Sequence, residues 1–453
     1  MRNILFSITV AILTFGCRGG EESINMDRWL VNGHEIFEED LLSMNEGDRA
    51  LFQGETTEFV NFELSGCFRL VDGGQAALML HTDSTMSRGY ELFFGNGVID
   101  SNIKSGSLTG VRNLFRSLAK DGEWSQFSVR VSRRSITVDI NENKVVDYIE
   151  PNEPFRTKEF AQRVLSSGNF AIICKGSEAE FKGLKVRMIA EDQEAAETRY
   201  PNSEDSVIMG LQQRLFPLID YHVHLKGLSK EQAYDRSLKS GINFGIAPNC
   251  GIGFPITNDA QVREYRDSTQ NMPFLFGMQG EGREWPTTFS NESRALFDYV
   301  FTDALTFDDH RGRRTKLWID SLVHVDISPE LYVDLLVDRS VKVINSEPLD
   351  IFVNPTLLPR VIRADYDKYW TEPRMDAIIE ALAENGVALE INDRYEIPSI
   401  KFLERAKRAG VKFTFGTNNT SADDLRDLEY AIGAAIELGL TKDDMWSPSM
   451  KRR

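Results

Sequence analysis

Two histidines spaced two apart, His222 and His224, close the run Pro217-Leu218-Ile219-Asp220-Tyr221. In a strand, residues i and i+2 point the same way, so the pair presents two imidazoles on one face at the strand's carboxyl end. Imidazoles placed there can ligate a metal or move a proton. Downstream, apolar runs repeatedly stop at polar clusters: Asn249-Cys250, Gln279 with Glu281, Asp303, Asn354, Glu390 with Asn392, and Asn418-Asn419. Glu281, Asp303 and Glu390 are the candidate acids and bases, with Glu281 or Glu390 as general base. Asn249, Gln279, Asn354, Asn392, Asn418 and Asn419, together with Arg283, Trp285, Arg394 and Tyr395, suit the hydroxyls of a sugar and offer an aromatic face for stacking. Each residue also has a plainer reading. Asn caps strand-to-helix turns, and the histidines can be structural imidazoles held by backbone carbonyls. The stretch Asp308-Asp309-His310 and Arg311-Gly312-Arg313-Arg314 reads as a solvated charged loop, with an acid/base role as the alternative.

The elements that must position these groups are legible in the rhythm of the chain after Arg214. Strand-like runs (218–223, 242–247, 274–277, 299–301, 351–353, 387–389 and 412–415) alternate with amphipathic stretches such as 229–240, 373–385 and 399–409. Such alternation signals βα units and a parallel sheet. Seven strands each ending in polar residues predict a (β/α) barrel over 213–446, whose strand ends converge on one mouth.

The preceding part has a different pattern. From residue 27 to 190, short alternating runs (59–64, 127–131, 136–140, 170–174 and 184–186) are separated by turns such as Asn141-Glu142-Asn143, which predicts an all-β sandwich. Residues 191–212 are polar and charged and read as a linker or connecting helix. Cys67 and Cys174 lie in strand-like runs, where they can pair in an oxidising compartment or serve, as scattered cysteines more often do, as small buried side chains.

Residues 1–17 stand apart from both domains. Arg2 precedes an apolar run from Ile4 to Phe15, too short to span a bilayer, followed by Gly16-Cys17. This resembles a bacterial lipoprotein signal with Cys17 as the lipid anchor, although Thr14 stands where Leu is customary. An ordinary secretory signal is the alternative. Either reading takes the mature chain out of the cytoplasm; the lipoprotein reading places it in the cell envelope, with membrane contact only through the anchor. The net charge of -17 argues against nucleic acid, because phosphates cannot be neutralised along a groove, and favours a neutral ligand such as a small molecule or oligosaccharide.

Two families share these motifs. With Asp220-Tyr221-His222-Val223-His224 as its opening HxH, the barrel half resembles the polymerase-and-histidinol-phosphatase (PHP) family, a distorted seven-stranded barrel that hydrolyses esters with up to three metal ions. That resemblance implies Thr-Asp-His-Gly where this chain has Pro248-Asn249-Cys250-Gly251, and a metal-binding Glu where it has Gln279, with Glu281 two residues on. It implies His-Pro at Asn354-Pro355, and Gly-Ser-Asp-Ala-His at Gly416-Thr417-Asn418-Asn419-Thr420. The family's Glu-Ile-Asn survives as Glu390-Ile391-Asn392. The first half resembles the 3-keto-disaccharide hydrolase domain, a concanavalin-like sandwich, through Phe62-Glu63-Leu64, Gly89-Tyr90-Glu91-Leu92, Gly106-Ser107-Leu108-Thr109-Gly110, Gly122-Glu123-Trp124 and Phe181-Lys182-Gly183-Leu184.

The departures bear on chemistry. Two dications about 3.5 Å apart repel by roughly 19 kcal/mol at an effective dielectric near about 20, which bridging carboxylates normally offset. Here the implied acids and histidines are largely amides, and amide carbonyls ligate zinc or manganese poorly. The set supports at most one divalent ion, held by His222, His224 and one or two of the carboxylates, Glu390 among them. A metal-free mouth is the alternative. Three functions follow: a hydrolase or lyase at the barrel mouth with a carbohydrate-binding sandwich, a 3-keto-glycoside hydrolase with its site in the sandwich, or a non-catalytic sugar-binding lipoprotein.

Overall fold

The structure is a computed structural model, and it describes residues 23–37, 41–71, 73–97, 103–189, 200–269, 272–425 and 427–451. The leader with Cys17 and residues 191–199 of the expected linker lie outside the described residues. No helix among the described residues is long and apolar enough to cross a membrane.

The first domain is a sandwich of two antiparallel sheets, one of seven strands and one of six. Alternation predicts its strands where one face meets the core and the other meets water. Phe62–Val71 and Ser135–Ile140 are of this kind, with Phe62, Leu64, Ile136 and Val138 turned inward. Gln75–Thr82 and Tyr90–Gly95 carry no such alternation because every residue in them is buried, covered on both faces. Cys67 and Cys174 belong to different sheets and, like Cys250, are free thiols.

The second domain is a closed ring of seven parallel strands. In chain order they are Ile219–Val223, Asn243–Ile246, Leu275–Gly280, Tyr299–Thr302, Ile351–Phe352, Ala388–Asn392 and Phe413–Gly416. Each pairs with its sequence neighbour, and the first pairs with the seventh. Outward residues such as Phe276, Met278, Val300, Leu389 and Phe413 pack with Leu336, Ile378, Leu382 and Phe402 of the surrounding helices. The expected helices are present as Lys230–Ser240, Glu372–Asn385 and Ile400–Arg408. Ser229 and Gln232 close a capping box at the start of the first, and Gly241, at φ 75°, ends it in the left-handed conformation. A longer helix, Pro329–Ser346, was not anticipated, although Ser328 caps it and Pro329 begins it. The charged stretch after Asp308 is the turn of a hairpin between Thr306–Asp308 and Arg314–Lys316. Asp309 holds that turn by accepting from the Arg311 and Arg313 amides.

The two domains share one apolar cluster. Phe93, Ile103 and Phe115 of the sandwich pack with Ile219, Tyr221, Leu275, Tyr299, Ile351 and Ala388, residues at or near the starts of barrel strands. The sandwich therefore closes the amino-terminal end of the barrel, opposite the strand ends that carry the polar clusters. Polar contacts fix this seam. Gln212, on the connecting helix Ser206–Gln213, accepts from the Asn113 amide and donates to the Gly241 carbonyl, while Arg116 pairs with Asp298 at 2.6 Å.

Candidate active site

At the carboxyl end of the first strand, the His222 and His224 rings lie 5.1 Å apart and edge-on. Asp220 anchors this strand end by accepting from the His222 amide and from the Thr417 amide and hydroxyl at the end of the seventh strand. The His222 Nδ1–H donates to Glu390 Oε1 at 2.5 Å, which leaves the lone pair on Nε2. Nε2 is buried and has no hydrogen-bond partner among the described residues. Gly416 makes this approach feasible, because a Cβ there would lie 2.1 Å from Glu390 Oε1. The His224 Nδ1–H donates to the Ala247 carbonyl at 2.9 Å. Burial, then the neighbouring His222, pushes the His224 imidazole down to about 3, so it is neutral at physiological pH.

Facing His222 are two acids. Glu281 is raised to about 7 by burial and by the charge of Asp303, with Asn249 donating to its Oε1 at 2.6 Å. Asp303 is raised by burial too, and Asn354 donates to its Oδ2 at 3.2 Å. Burial of both carboxyls, with the charge of Asp303 acting on Glu281, lets Glu281 retain a proton near neutrality, which makes it a proton donor. Below them Phe301 packs on the His222 ring, centroids 4.6 Å apart. An imidazole with an unpartnered Nε2, oriented by a carboxylate and set near an acid whose proton is held up to about 7, is equipped for general acid–base catalysis.

The amides join this cluster. Asn392 and Asn418 donate to Asn354 Oδ1 at 3.1 and 3.0 Å. Asn354 and Asn418 have φ of 49° and 47°, a left-handed backbone that Asn adopts more readily than most residues, so part of their role is conformational. The Gln279 Oε1 atom is buried and also unpartnered among the described residues. Asn249, Asn418 and Arg394 are half-buried and form the rim, whereas His222 and Asn392 are fully buried.

Several expectations require correction. Glu390 accepts from His222 with one oxygen and from the Asn354 amide and Asn392 Nδ2 with the other, so it positions the imidazole and is not free to act as a base. Among the described residues no three His, Cys, Asp or Glu side chains converge to hold an ion. The donor set therefore does not fit the metal cluster that the PHP resemblance implies. Trp285 is no stacking platform: it is fully buried against Gly280, with Nε1 donating to Glu347. Asn419 is fully buried and clamps the main chain of His224 at both its N–H and its C=O. Arg394 bonds the Asn418 carbonyl and Asp424 at the rim. Arg283 reaches across from Glu347 to the Asp303 carbonyl and Thr302 hydroxyl. Sequence reasoning missed two groups. Asp220 was signalled by a carboxyl interrupting an apolar run, while Glu347, at the end of an unanticipated helix, had no local signal.

Fold and site thus define a two-domain protein, a β-sandwich joined to a closed parallel barrel with an acid–base cluster at its mouth. Residues 20–187 match the family model of the 3-keto-alpha-glucoside-1,2-lyase-like domain. No curated protein matches the chain. Among solved structures, the chain is similar to histidinol phosphate phosphatase from Lactococcus lactis subsp. lactis, at 17% identity over 52% of this chain and 98% of that one, with TM-score 0.36. It is also similar to a protein from Parabacteroides distasonis inferred to be a glycosyl hydrolase, at 16% identity over 37% of this chain and 93% of the other, TM-score 0.28. A third is the carbohydrate-binding module CBM66 from Bacillus subtilis, at 11% identity over 36% and 94%, TM-score 0.24.

Proposed function

We propose that the chain is an exported, lipid-anchored hydrolase or lyase acting on a glycan-derived substrate at the mouth of a PHP-like barrel, with the sandwich binding carbohydrate. The observation that carries this reading is the His222–Glu390 couple, whose Nε2 is unpartnered among the described residues and whose imidazole lies close enough to the buried acids Glu281 and Asp303 to act on both electrostatically. In an elimination, His222 Nε2 takes the proton next to a sugar carbonyl, a carbon–carbon double bond forms, and the glycosidic carbon–oxygen bond breaks. The departing oxygen receives its proton from Glu281 or Asp303. In a hydrolysis the same base activates water.

The match of residues 20–187 to a lyase-like domain favours a second reading, with catalysis in the sandwich. One experiment separates the two. With a chromogenic 3-keto-α-glucoside, His222→Ala lowers turnover by about 10²- to 10⁴-fold, the range lost with a general base, while the circular dichroism spectrum is unchanged. Unaltered turnover in this variant moves the chemistry to the sandwich, and a wild-type protein inert on a broad glycoside and phosphoester panel is a binding protein.

A further inference from the structure

A second cavity, of about 510 Å³, lies outside the barrel wall beside the mouth. Its walls are the loop after the third strand, the 306–316 hairpin and the helix Pro329–Ser346. Arg283, Arg314, Arg339 and Lys342 all face it, in a chain whose net charge is -17. The carboxylates around it are already engaged. Glu347 pairs with Arg283 at 3.0 Å, and Glu284 and Asp308 pair with Arg314 at 3.1 and 3.6 Å. Arg339 makes no ion pair among the described residues, where its hydrogen-bonding partner is the Asp308 main-chain carbonyl, and Lys342 Nζ has no partner there. Nε of Arg283, Nε of Arg339 and Oγ1 of Thr306 are buried without a hydrogen-bond partner among the described residues, and Thr306 is 2% exposed.

Those buried atoms lie behind the wall, while the Arg339 guanidinium and the Lys342 ammonium line the cavity without a carboxylate partner among the described residues. A neutral sugar hydroxyl meets one or two of them. An oxyanion offers several acceptor lone pairs together with a charge that matches the surplus cations. The cavity is also tied to the mouth, because Arg283 lines it while donating to the main-chain carbonyl of Asp303, whose side chain faces His222. We infer that this cavity binds the carboxylate or sulfate group of an acidic glycan and so anchors the sugar whose neighbouring bond reaches the mouth. The glycan part of this inference rests on the proposed function, and the oxyanion part does not.

Calorimetric titration of the full-length protein with sodium sulfate, with glucuronate and with glucose tests it. Sulfate or glucuronate binds and glucose does not. Arg339→Gln and Lys342→Gln each weaken the anion by about tenfold or more, as loss of a charge-assisted hydrogen bond requires, and the exposed position of Lys342 keeps that second variant folded. Preference for sulfate identifies a sulfate ester, and preference for glucuronate a uronic acid. Failure of both anions to bind, or equal affinity in both variants, overturns the site. His222→Ala retains anion binding, and a wild-type protein that binds the anion but turns over no glycan refutes the proposed function alone.

Discussion

At the scale of single residues, the mouth is governed by who satisfies whom. Glu390 has both oxygens occupied, so it orients His222, and His222 Nε2 and Gln279 Oε1 are left without a partner among the described residues. Glu281 and Asp303 sit on the other side, both raised by burial, Glu281 further by the charge of Asp303. This arrangement has a consequence for stability. Glu281 titrates near 7 in the folded protein and in the ordinary carboxylate range when unfolded. Between those values the folded state keeps a proton that the unfolded chain has released, so this group's stability contribution is full at acid pH and declines as pH rises towards 7. Glu281→Gln flattens that decline. Urea midpoints measured at roughly pH 5 and pH 8 check it, and an unchanged difference between the two in the variant contradicts the assignment.

At the scale of elements, the site depends on close approach between neighbouring strands. The sixth and seventh strands bring Glu390 and Gly416 together, and the missing side chain at Gly416 is what lets the carboxylate reach His222. Gly416→Ala forces a methyl within 2.8 Å of His222 Cβ as well. It is expected to destabilise the protein by about 1–3 kcal/mol through overpacking and to lower turnover along with His222→Ala, read by thermal melting and the 3-keto-glucoside assay. A variant that keeps wild-type turnover shows that the His222–Glu390 contact is dispensable.

At the scale of the whole molecule, the sandwich closes the barrel end opposite the mouth. The acid–base cluster thus lies at the end of the barrel away from the sandwich, and coupling between the two domains runs through the seam. Phe115 contributes a buried aromatic ring to that seam. Phe115→Ala is expected to cost about 3–5 kcal/mol, as for other buried aromatics. In scanning calorimetry the wild type melts in one transition and the variant in two, as the domains lose their common core. A single transition at the wild-type temperature places the coupling elsewhere, with Gln212 and Arg116 the next residues to replace.

The alternation of apolar runs with amphipathic stretches by itself determined the barrel, since each parallel strand is buried on both faces and each helix on one. It also determined that His222, Glu281, Asp303, Glu390 and Asn418 share a mouth, because every barrel strand delivers its carboxyl end to the same place. Residue type could not tell which of these groups would be free. Trp285 looked like a platform and became core because the turn after Gly280 folds its ring back onto that glycine. Asn419 looked like lining and became a backbone clamp, and Glu390 looked like a ligand and became the support of an imidazole. Only tertiary contacts assign the partners of a polar atom, and a buried polar atom's chemistry is set by the partner it has or lacks.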